Sequence, residues 1–262
     1  MYKRQLDHRD PYEDRAAGPE HASGELVAQD RYLSLFTSRP SRARAAISDA
    51  TIDVQAPPGF GALVRDRLRA SGIGAVRLWS PDDGVGPPVE RGRDGSALPA
   101  VLAGTSLEDE GMLVRNLEWV EQGRPFLAVL LPSGTARVGP FVVPRESACL
   151  RCAAEAEKRL RPALPPGVIL PTEHPPPTDL VALLDLVAAI VALEIAKALT
   201  GLFIPALANR RLFVEPSSLT FVNEEVFKLP RCPACGRAAH HVETEPFEMT
   251  VPPWAGPTAQ EV

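Results

Sequence analysis

The chain has 262 residues, of which 45% are hydrophobic and 23% charged, and its formal net charge is -5. This composition is that of a globular protein with one large domain or two small ones. The acidic balance offers no basic surface, so nucleic acid is not expected as a partner. The 28 prolines are about twice the usual share, and their clustering in connectors predicts long irregular loops.

No secretory signal peptide is expected, because residues 1–15 are charged and no apolar run follows them. Residues 1–28 are polar and charged without periodicity, which predicts a disordered or truncated segment. The most apolar stretch, residues 180–199, contains Asp185, Glu194 and Lys197. These charges favour a buried helix over a membrane span. We therefore expect a cytoplasmic protein with reduced thiols and no membrane partner.

The first regular elements predict a βαβ unit. Two short helices, broken at Pro40, precede a strand at 50–55, a glycine turn at 57–61, a helix at 62–71 and a strand at 75–79. A strand, helix and strand within ~30 residues form a crossover, which implies parallel strands.

The rest of the chain supplies further strands and one long helix. Strands are expected at 98–103, 126–131, 137–143, 211–215 and 219–227, with helices at 112–122 and 153–161 and a long buried helix that Thr178 or Asp179 caps and Gly201 ends. The proline-rich segment 162–177 is expected to be a mobile crossover loop. The predicted fold is α/β: a Rossmann-like, mostly parallel sheet with flanking helices at 29–236, followed by a loose tail at 237–262.

Four cysteines form the most specific pattern in the sequence. Cys149 and Cys152 make one CxxC pair, and Cys232 and Cys235 make a second pair in RCPACG. Thiolates two residues apart on a tight turn can both face one ion, and two pairs supply the four soft ligands that tetrahedral zinc prefers. A closed site of this kind leaves no position for water. The zinc would therefore be structural, and its knuckle would close the sheet domain.

Two other interpretations of the cysteines remain open. Two disulfides need an oxidising compartment. A thioredoxin-like redox pair is conceivable because a predicted helix follows Cys152, and a helix N-terminus lowers the pKa of a thiol. A redox pair leaves Cys232 and Cys235 without a role, so the paired spacing favours zinc.

Gly59 and Gly61 fill the first two glycine positions of a nucleotide-binding G-x-G-x-x-G turn, in which backbone amides approach phosphate. Val64 stands at the third position, and the two prolines before the turn remove amide donors. Asp82, the first acidic residue after the second strand, is displaced into a turn. The pattern predicts a degenerate nucleotide loop, and ATP is not expected as a cofactor.

No set of residues has catalytic spacing. The five histidines lack partners at the spacing of a triad or metal site, and neither G-x-S-x-G nor HExxH occurs. Glu155, Glu157 and Lys158, after the first cysteine pair, are expected on a solvated helix face. No catalytic residue is therefore predicted.

The order of these features resembles the ThiF/MoeB group of ubiquitin-activating-like adenylating enzymes. The features are the βαβ unit, the strand into CxxC, the proline-rich crossover, the buried helix and the second CxxC. More narrowly, NLEWVEQGRPFLAVLLPSGTARVGPFVVPRESACLRC and LPRCPACG are similar to the ThiF-like partner proteins of YcaO cyclodehydratases in azole-modified peptide biosynthesis. The resemblance covers residues 29–236, and Asn116 and the pair Gly139 and Pro140 are supporting matches.

The resemblance implies that the four cysteines are zinc ligands. It also implies a non-adenylating scaffold subunit that helps present a precursor peptide to a YcaO-type cyclodehydratase, with ATP chemistry in that partner and a homodimer as a further expectation. The leader-binding module usual in such proteins would lie upstream or on another chain. Two alternatives are kept: an adenylating enzyme that activates a C-terminal carboxylate, and a zinc-stapled interaction protein of another pathway.

Overall fold

The computed structural model of the chain describes residues 24–81, 86–93, 95–131, 135–160 and 180–236. The predicted crossover loop at 162–177 and the predicted tail at 237–262 lie outside these residues. The first helix begins at Gly24, before the predicted domain start at residue 29.

Six helices and seven strands lie within the described residues. The helices are α1 Gly24–Leu33, α2 Pro40–Ser48, α3 Pro58–Ala70, α4 Glu110–Glu121, α5 Leu150–Leu160 and α6 Val181–Thr200. The strands are β1 Thr51–Gln55, β2 Ala75–Trp79, β3 Ala100–Gly104, β4 Phe126–Leu130, β5 Ala136–Val142, β6 Arg210–Glu215 and β7 Thr220–Glu225. Every predicted strand is present, with small differences at the ends.

The unit formed by β1, α3 and β2 is the predicted crossover, and the two strands pair in parallel along their whole length. α3 turns a buried face to the sheet because Phe60, Val64 and Leu68 recur at helical spacing. The helix ends before Gly72, whose φ of 88° is a left-handed conformation that glycine adopts without steric cost.

The seven strands form one mixed sheet in the order β2-β1-β3-β4-β5-β6-β7. The strands from β2 to β4 are parallel, and β5, β6 and β7 are added in antiparallel pairing. Since β6 runs in the direction of β4, five of the seven strands point the same way. The structure confirms the α/β fold with a mostly parallel sheet and flanking helices.

Each face of the sheet has its own hydrophobic core. On one face, α3 and α6 pack on the strands, with Leu68 and Val191 fully buried. On the other face, the core includes residues of α4 and α5 together with all four cysteines. Trp119 of α4 meets Phe126 of β4 edge-to-face in this core, with ring centroids 5.3 Å apart. The cysteines therefore belong to a packed layer of the domain.

The long helix α6 differs from its prediction. The sequence is apolar nearly all round, which predicted burial on every side. The structure buries one face, including Leu183 and Val187, but leaves Leu186 38% and Leu193 52% exposed. α6 is an outer layer: it covers the sheet, and its own outer face is open among the described residues. Gly201 ends the helix with a φ of 61°, as predicted, whereas Thr178 and Asp179 lie outside the described residues.

Glu194 is one of the charged residues inside this apolar helix, and its contacts explain its burial. It is buried, accepts a hydrogen bond from Leu207 N at 3.2 Å and pairs with Lys197 Nζ at 2.6 Å. The carboxylate thus ties α6 to the segment that leads into β6. In the part of the chain that the structure describes, none of the helices has the length and apolar character needed to cross a bilayer.

Candidate metal centre

The fold brings the four cysteines to one point. Cys149 directly precedes α5, Cys152 lies in its first turn, and Cys232 and Cys235 lie in the turns that follow β7. All four are buried, and their Sγ atoms lie within 4.8 Å of one another. This cluster can hold a metal ion with one ligand atom from each residue.

The spacing of the sulfur atoms suits a tetrahedral ion. Cys149 Sγ lies 3.9 Å from Cys152 Sγ and 3.6 Å from Cys232 Sγ, and Cys152 Sγ lies 3.5 Å from Cys235 Sγ. With zinc–sulfur bonds of ~2.3 Å, tetrahedral geometry places neighbouring sulfurs about 3.8 Å apart. A disulfide needs about 2.05 Å, and the four cysteines are free thiols. The residues present therefore fit a four-thiolate zinc site.

Local backbone bonds shape both cysteine turns. In the first, Cys152 N donates to Cys149 O at 3.0 Å; in the second, Gly236 N donates to Cys232 O at 2.9 Å. Glycine is required at position 236 because a Cβ there would lie 2.6 Å from Cys232 O. Leu229 N also donates to Cys152 Sγ at 3.4 Å, an N–H to sulfur bond that links the second turn to the first.

Two asparagines hold the first cysteine turn from outside. Ala148 N donates to Asn209 Oδ1 at 2.7 Å, and Leu150 N donates to Asn116 Oδ1 at 3.0 Å. In the sequence, Asn116 is indicated only as a supporting match of the resemblance. Asn209 was missed, because nothing in the local sequence shows that the loop before β6 returns to the first cysteine pair.

Hydrogen bonding divides the acidities of the four thiols. The hydrogen bond with Cys152 raises the pKa of the Cys149 thiol. The same hydrogen bond lowers the pKa of the Cys152 thiol to about 7. The pKa of Cys232 is lowered, chiefly by its bond to Cys149. For Cys235, the bond to Cys149 lowers the pKa, but bonds to Cys152 and Cys232 and burial outweigh it, so the pKa is raised. Adjacent thiolates repel one another, which a bound cation relieves.

Glu157 anchors the helix that carries the first cysteine pair. Its carboxylate contacts Arg137 Nη1 of β5 at 2.6 Å and Arg211 Nη1 of β6 at 2.8 Å, and its side chain is only 13% exposed. The expectation that Glu157 lies on a solvated face is therefore wrong: strand arginines beneath α5 take up its charge. Glu155 pairs with Arg151 on the same helix.

The end of β1 does not form a glycine loop. The helix α3 begins at Pro58, and Gly61 N already donates to Pro57 O at 2.8 Å as part of the first helical turn. Gly59 and Gly61 thus lie inside α3, although the sequence predicted a turn here and a helix from residue 62. Proline's fixed φ suits the first helical position, which explains the earlier start. The prolines also remove two backbone N–H groups from this terminus.

The buried carboxylate of Asp53 on β1 is paired with two arginines from other parts of the chain. Asp53 is fully buried and accepts from Arg77 Nε at 2.7 Å, from Trp79 Nε1 at 3.0 Å and from fully buried Arg124. Arg77 also pairs with Glu90 at 2.7 Å. Burial raises the pKa of Asp53, but hydrogen bonds from Arg77, Arg124 and Trp79 outweigh it and hold the pKa below its usual range. Both arginines are thus engaged by carboxylates. Asp82, the first acidic residue after the second strand, lies outside the described residues.

No family model matches the sequence, and no curated protein matches it either. Solved structures do match. A heterocyclase in complex with substrate and cofactor has a TM-score of 0.61 at 19% identity, covering 85% of this chain and 29% of that chain. The heterocyclase TruD has a TM-score of 0.60 at 20% identity, covering 84% of this chain and 31% of that chain. MccB of E. coli with ATP has a TM-score of 0.61 at 15% identity, covering 84% and 76% respectively.

These likenesses concern the fold. The chain spans less than a third of the length of these two heterocyclases and about three quarters of MccB. The fold that it shares with these proteins is the one that the resemblance to the ThiF/MoeB group predicted. That prediction is confirmed for the architecture of the chain.

Proposed function

We propose that this chain is a non-adenylating, ThiF-like scaffold subunit that helps present a ribosomal precursor peptide to a YcaO-type cyclodehydratase. The observation that carries the proposal is the start of α3, where two prolines stand at the phosphate-binding end of a fold that heterocyclases share. A nucleotide site at this place needs free backbone amides. The charges of Arg77 and Arg124 are also neutralised by the carboxylates of Asp53 and Glu90. ATP chemistry therefore belongs to the partner enzyme.

We further propose that Cys149, Cys152, Cys232 and Cys235 bind one structural zinc ion. Four buried thiols in a closed set leave no ligand position for water, so the metal supplies folding free energy and no Lewis-acid chemistry. The ion would join the start of α5 to the segment after β7. Metal analysis of the purified protein should give about one zinc per chain.

Exposed apolar side chains support a docking role. Phe221 is 50% exposed on the edge strand β7, Phe227 is 71% exposed beyond it, and Leu193 is 52% exposed on α6. An exposed strand edge and apolar surface are features of protein interaction sites. These surfaces are available for the cyclodehydratase, the precursor peptide or a second copy of the chain.

Reconstitution tests this function. The chain is combined with the YcaO-type enzyme from its gene neighbourhood, the precursor peptide and Mg-ATP, and loss of water from the peptide is followed by mass spectrometry. Ring formation should be strongly reduced when the chain is omitted. An unchanged rate without the chain would overturn the scaffold function.

One observation favours a second candidate, an ATP-dependent adenylating enzyme: the fold covers most of MccB, whose matching structure contains ATP. Such an enzyme would catalyse peptide-dependent exchange of pyrophosphate into ATP on its own. That activity in the isolated chain would establish the second candidate, and its absence would support the scaffold.

A further inference from the structure

The first cysteine pair is braced from both sides of Cys149. Asn209 Oδ1 accepts the backbone N–H of Ala148, and Asn116 Oδ1 accepts the backbone N–H of Leu150. These two amides flank the cysteine at the point where the chain enters α5. Amides at a helix start have no partner within the helix, so without the asparagines they would need other acceptors.

The second cysteine pair is shaped differently. Its described backbone bonds join close neighbours: Cys232 N donates to Leu229 O at 3.1 Å, and Gly236 N donates to Cys232 O at 2.9 Å. The first pair therefore has supports from two distant elements of the domain. Within the second turn itself the described backbone bonds are local, and its links to the rest of the domain run through Val226 and Leu229 before Cys232.

Asn209 also connects the two pairs. Its backbone oxygen accepts the N–H of Val226 at 2.8 Å, in the segment that leads from β7 to Cys232. The residue sits in the left-handed region with a φ of 59°. This conformation, which asparagine tolerates better than most residues, lets the side chain and the backbone oxygen bind different segments.

Asn116 supports the first cysteine pair on the other side of Cys149 from Asn209. It is fully buried in α4, and its Nδ2 has no hydrogen-bond partner among the described residues. An unpaired buried amide is costly, so the position provides its acceptor oxygen at the expense of an unsatisfied donor. That oxygen holds the backbone next to Cys149.

We propose that Asn116 and Asn209 are positioning residues for the metal: they fix the first cysteine pair in binding geometry before the ion arrives. The inference rests on the proposed zinc site and deepens it. Ligands that are already ordered lose less conformational freedom on binding, and outer partners of metal ligands raise affinity for that reason. The first pair is then the preformed half on which the second pair closes.

Two variants at Asn209 separate the effect of the side-chain acceptor from that of the backbone conformation. Asn209→Gly tolerates the positive φ but loses the acceptor, whereas Asn209→Asp keeps an acceptor oxygen. Zinc affinity is measured by competition with a chromophoric chelator. Asn209→Gly and Asn116→Ala should bind zinc about 10–100-fold more weakly than the wild type, and Asn209→Asp should bind close to the wild type.

Cobalt provides a second readout that does not depend on activity. The wild type should give the intense charge-transfer bands of a tetrahedral four-thiolate site, and Asn209→Gly should reach them only at higher cobalt concentration. Asn223→Ala, on the exposed strand β7, is the control and should behave as the wild type.

Two results would overturn the inference: wild-type zinc affinity in Asn209→Gly, or equal weakening in Asn209→Gly and Asn209→Asp. If Asn116→Ala does not fold, the two Asn209 variants still decide the matter, because Asn209 is exposed and its substitution removes nothing from the core. A wild-type protein that binds no zinc would instead refute the proposed metal site itself, which distinguishes the two failures.

Discussion

Asp53 of β1 forms an ion pair with Arg124, and both side chains are fully buried. Asp53→Asn would leave Arg124 without a compensating charge. We expect the free energy of unfolding to fall by about 3–5 kcal/mol in urea denaturation. The control Asp185→Asn breaks the exposed pair with Arg67 and should cost at most ~1 kcal/mol. Equal losses in the two variants would contradict this account of Asp53.

Asp53 also predicts sensitivity to acid. Burial raises its pKa, but hydrogen bonds from Arg77, Arg124 and Trp79 outweigh burial, so the folded pKa is lowered. The resulting stability is present above the unfolded pKa of about 3.9 and is lost as pH falls through the folded pKa. Urea unfolding between about pH 4 and pH 2 should therefore show a steeper loss in the wild type than in Asp53→Asn. Parallel curves would count against the prediction.

Gly236 and Gly59 form a matched pair of glycine tests. A Cβ at Gly236 would press on Cys232 O at 2.6 Å, whereas a Cβ at Gly59 meets no atom within 4 Å. Gly236→Ala should cost about 1–3 kcal/mol of stability and weaken zinc retention. Gly59→Ala lies in a helix and should gain up to about 1 kcal/mol. Thermal unfolding measures both, and a neutral Gly236→Ala would show that the second turn is not constrained as described.

At the scale of elements, the sequence predicts the features that local residues determine and does not predict those that packing between distant segments determines. Strand positions followed from apolar runs between turn residues. The predicted start of α3 is one turn late, because the two glycines favour a turn whereas Pro58 suits a first helical position. The exposure of α6 was not predictable from its apolar pattern, since that pattern does not show which layers cover a helix.

Removal of the metal should act on particular elements. Because the four thiols join the start of α5 to the segment after β7, a chelator should increase hydrogen exchange most in residues 226–236. The increase should be smaller in Leu150–Leu160, where Asn116 and Asn209 hold the helix start without the metal. Exchange in β1 and β3 should change little, because these strands are held by parallel pairing and by the core on the α6 face. An equal increase in hydrogen exchange throughout the chain, or no increase near the cysteines, would contradict this role of the metal site.

At the scale of the whole molecule, the sequence indicated the α/β fold and the four cysteines, because both follow from repeating patterns. It did not indicate the contacts that position the cysteines. Asn209 meets Ala148, and Glu157 meets Arg211 of another element. Such contacts depend on how distant segments pack, which no local spacing encodes. The bonds of Asp53 with Arg77 and Arg124 escaped prediction for the same reason.

We propose that this chain, whose fold is similar to that of an ATP-containing structure, functions without binding nucleotide. Calorimetric titration of the purified, zinc-loaded chain with Mg-ATP tests it most directly. We predict no binding tighter than ~1 mM, because prolines replace two amides at the start of α3 and carboxylates engage Arg77 and Arg124. Micromolar binding that Gly59→Asp abolishes would contradict the account and establish the adenylating alternative.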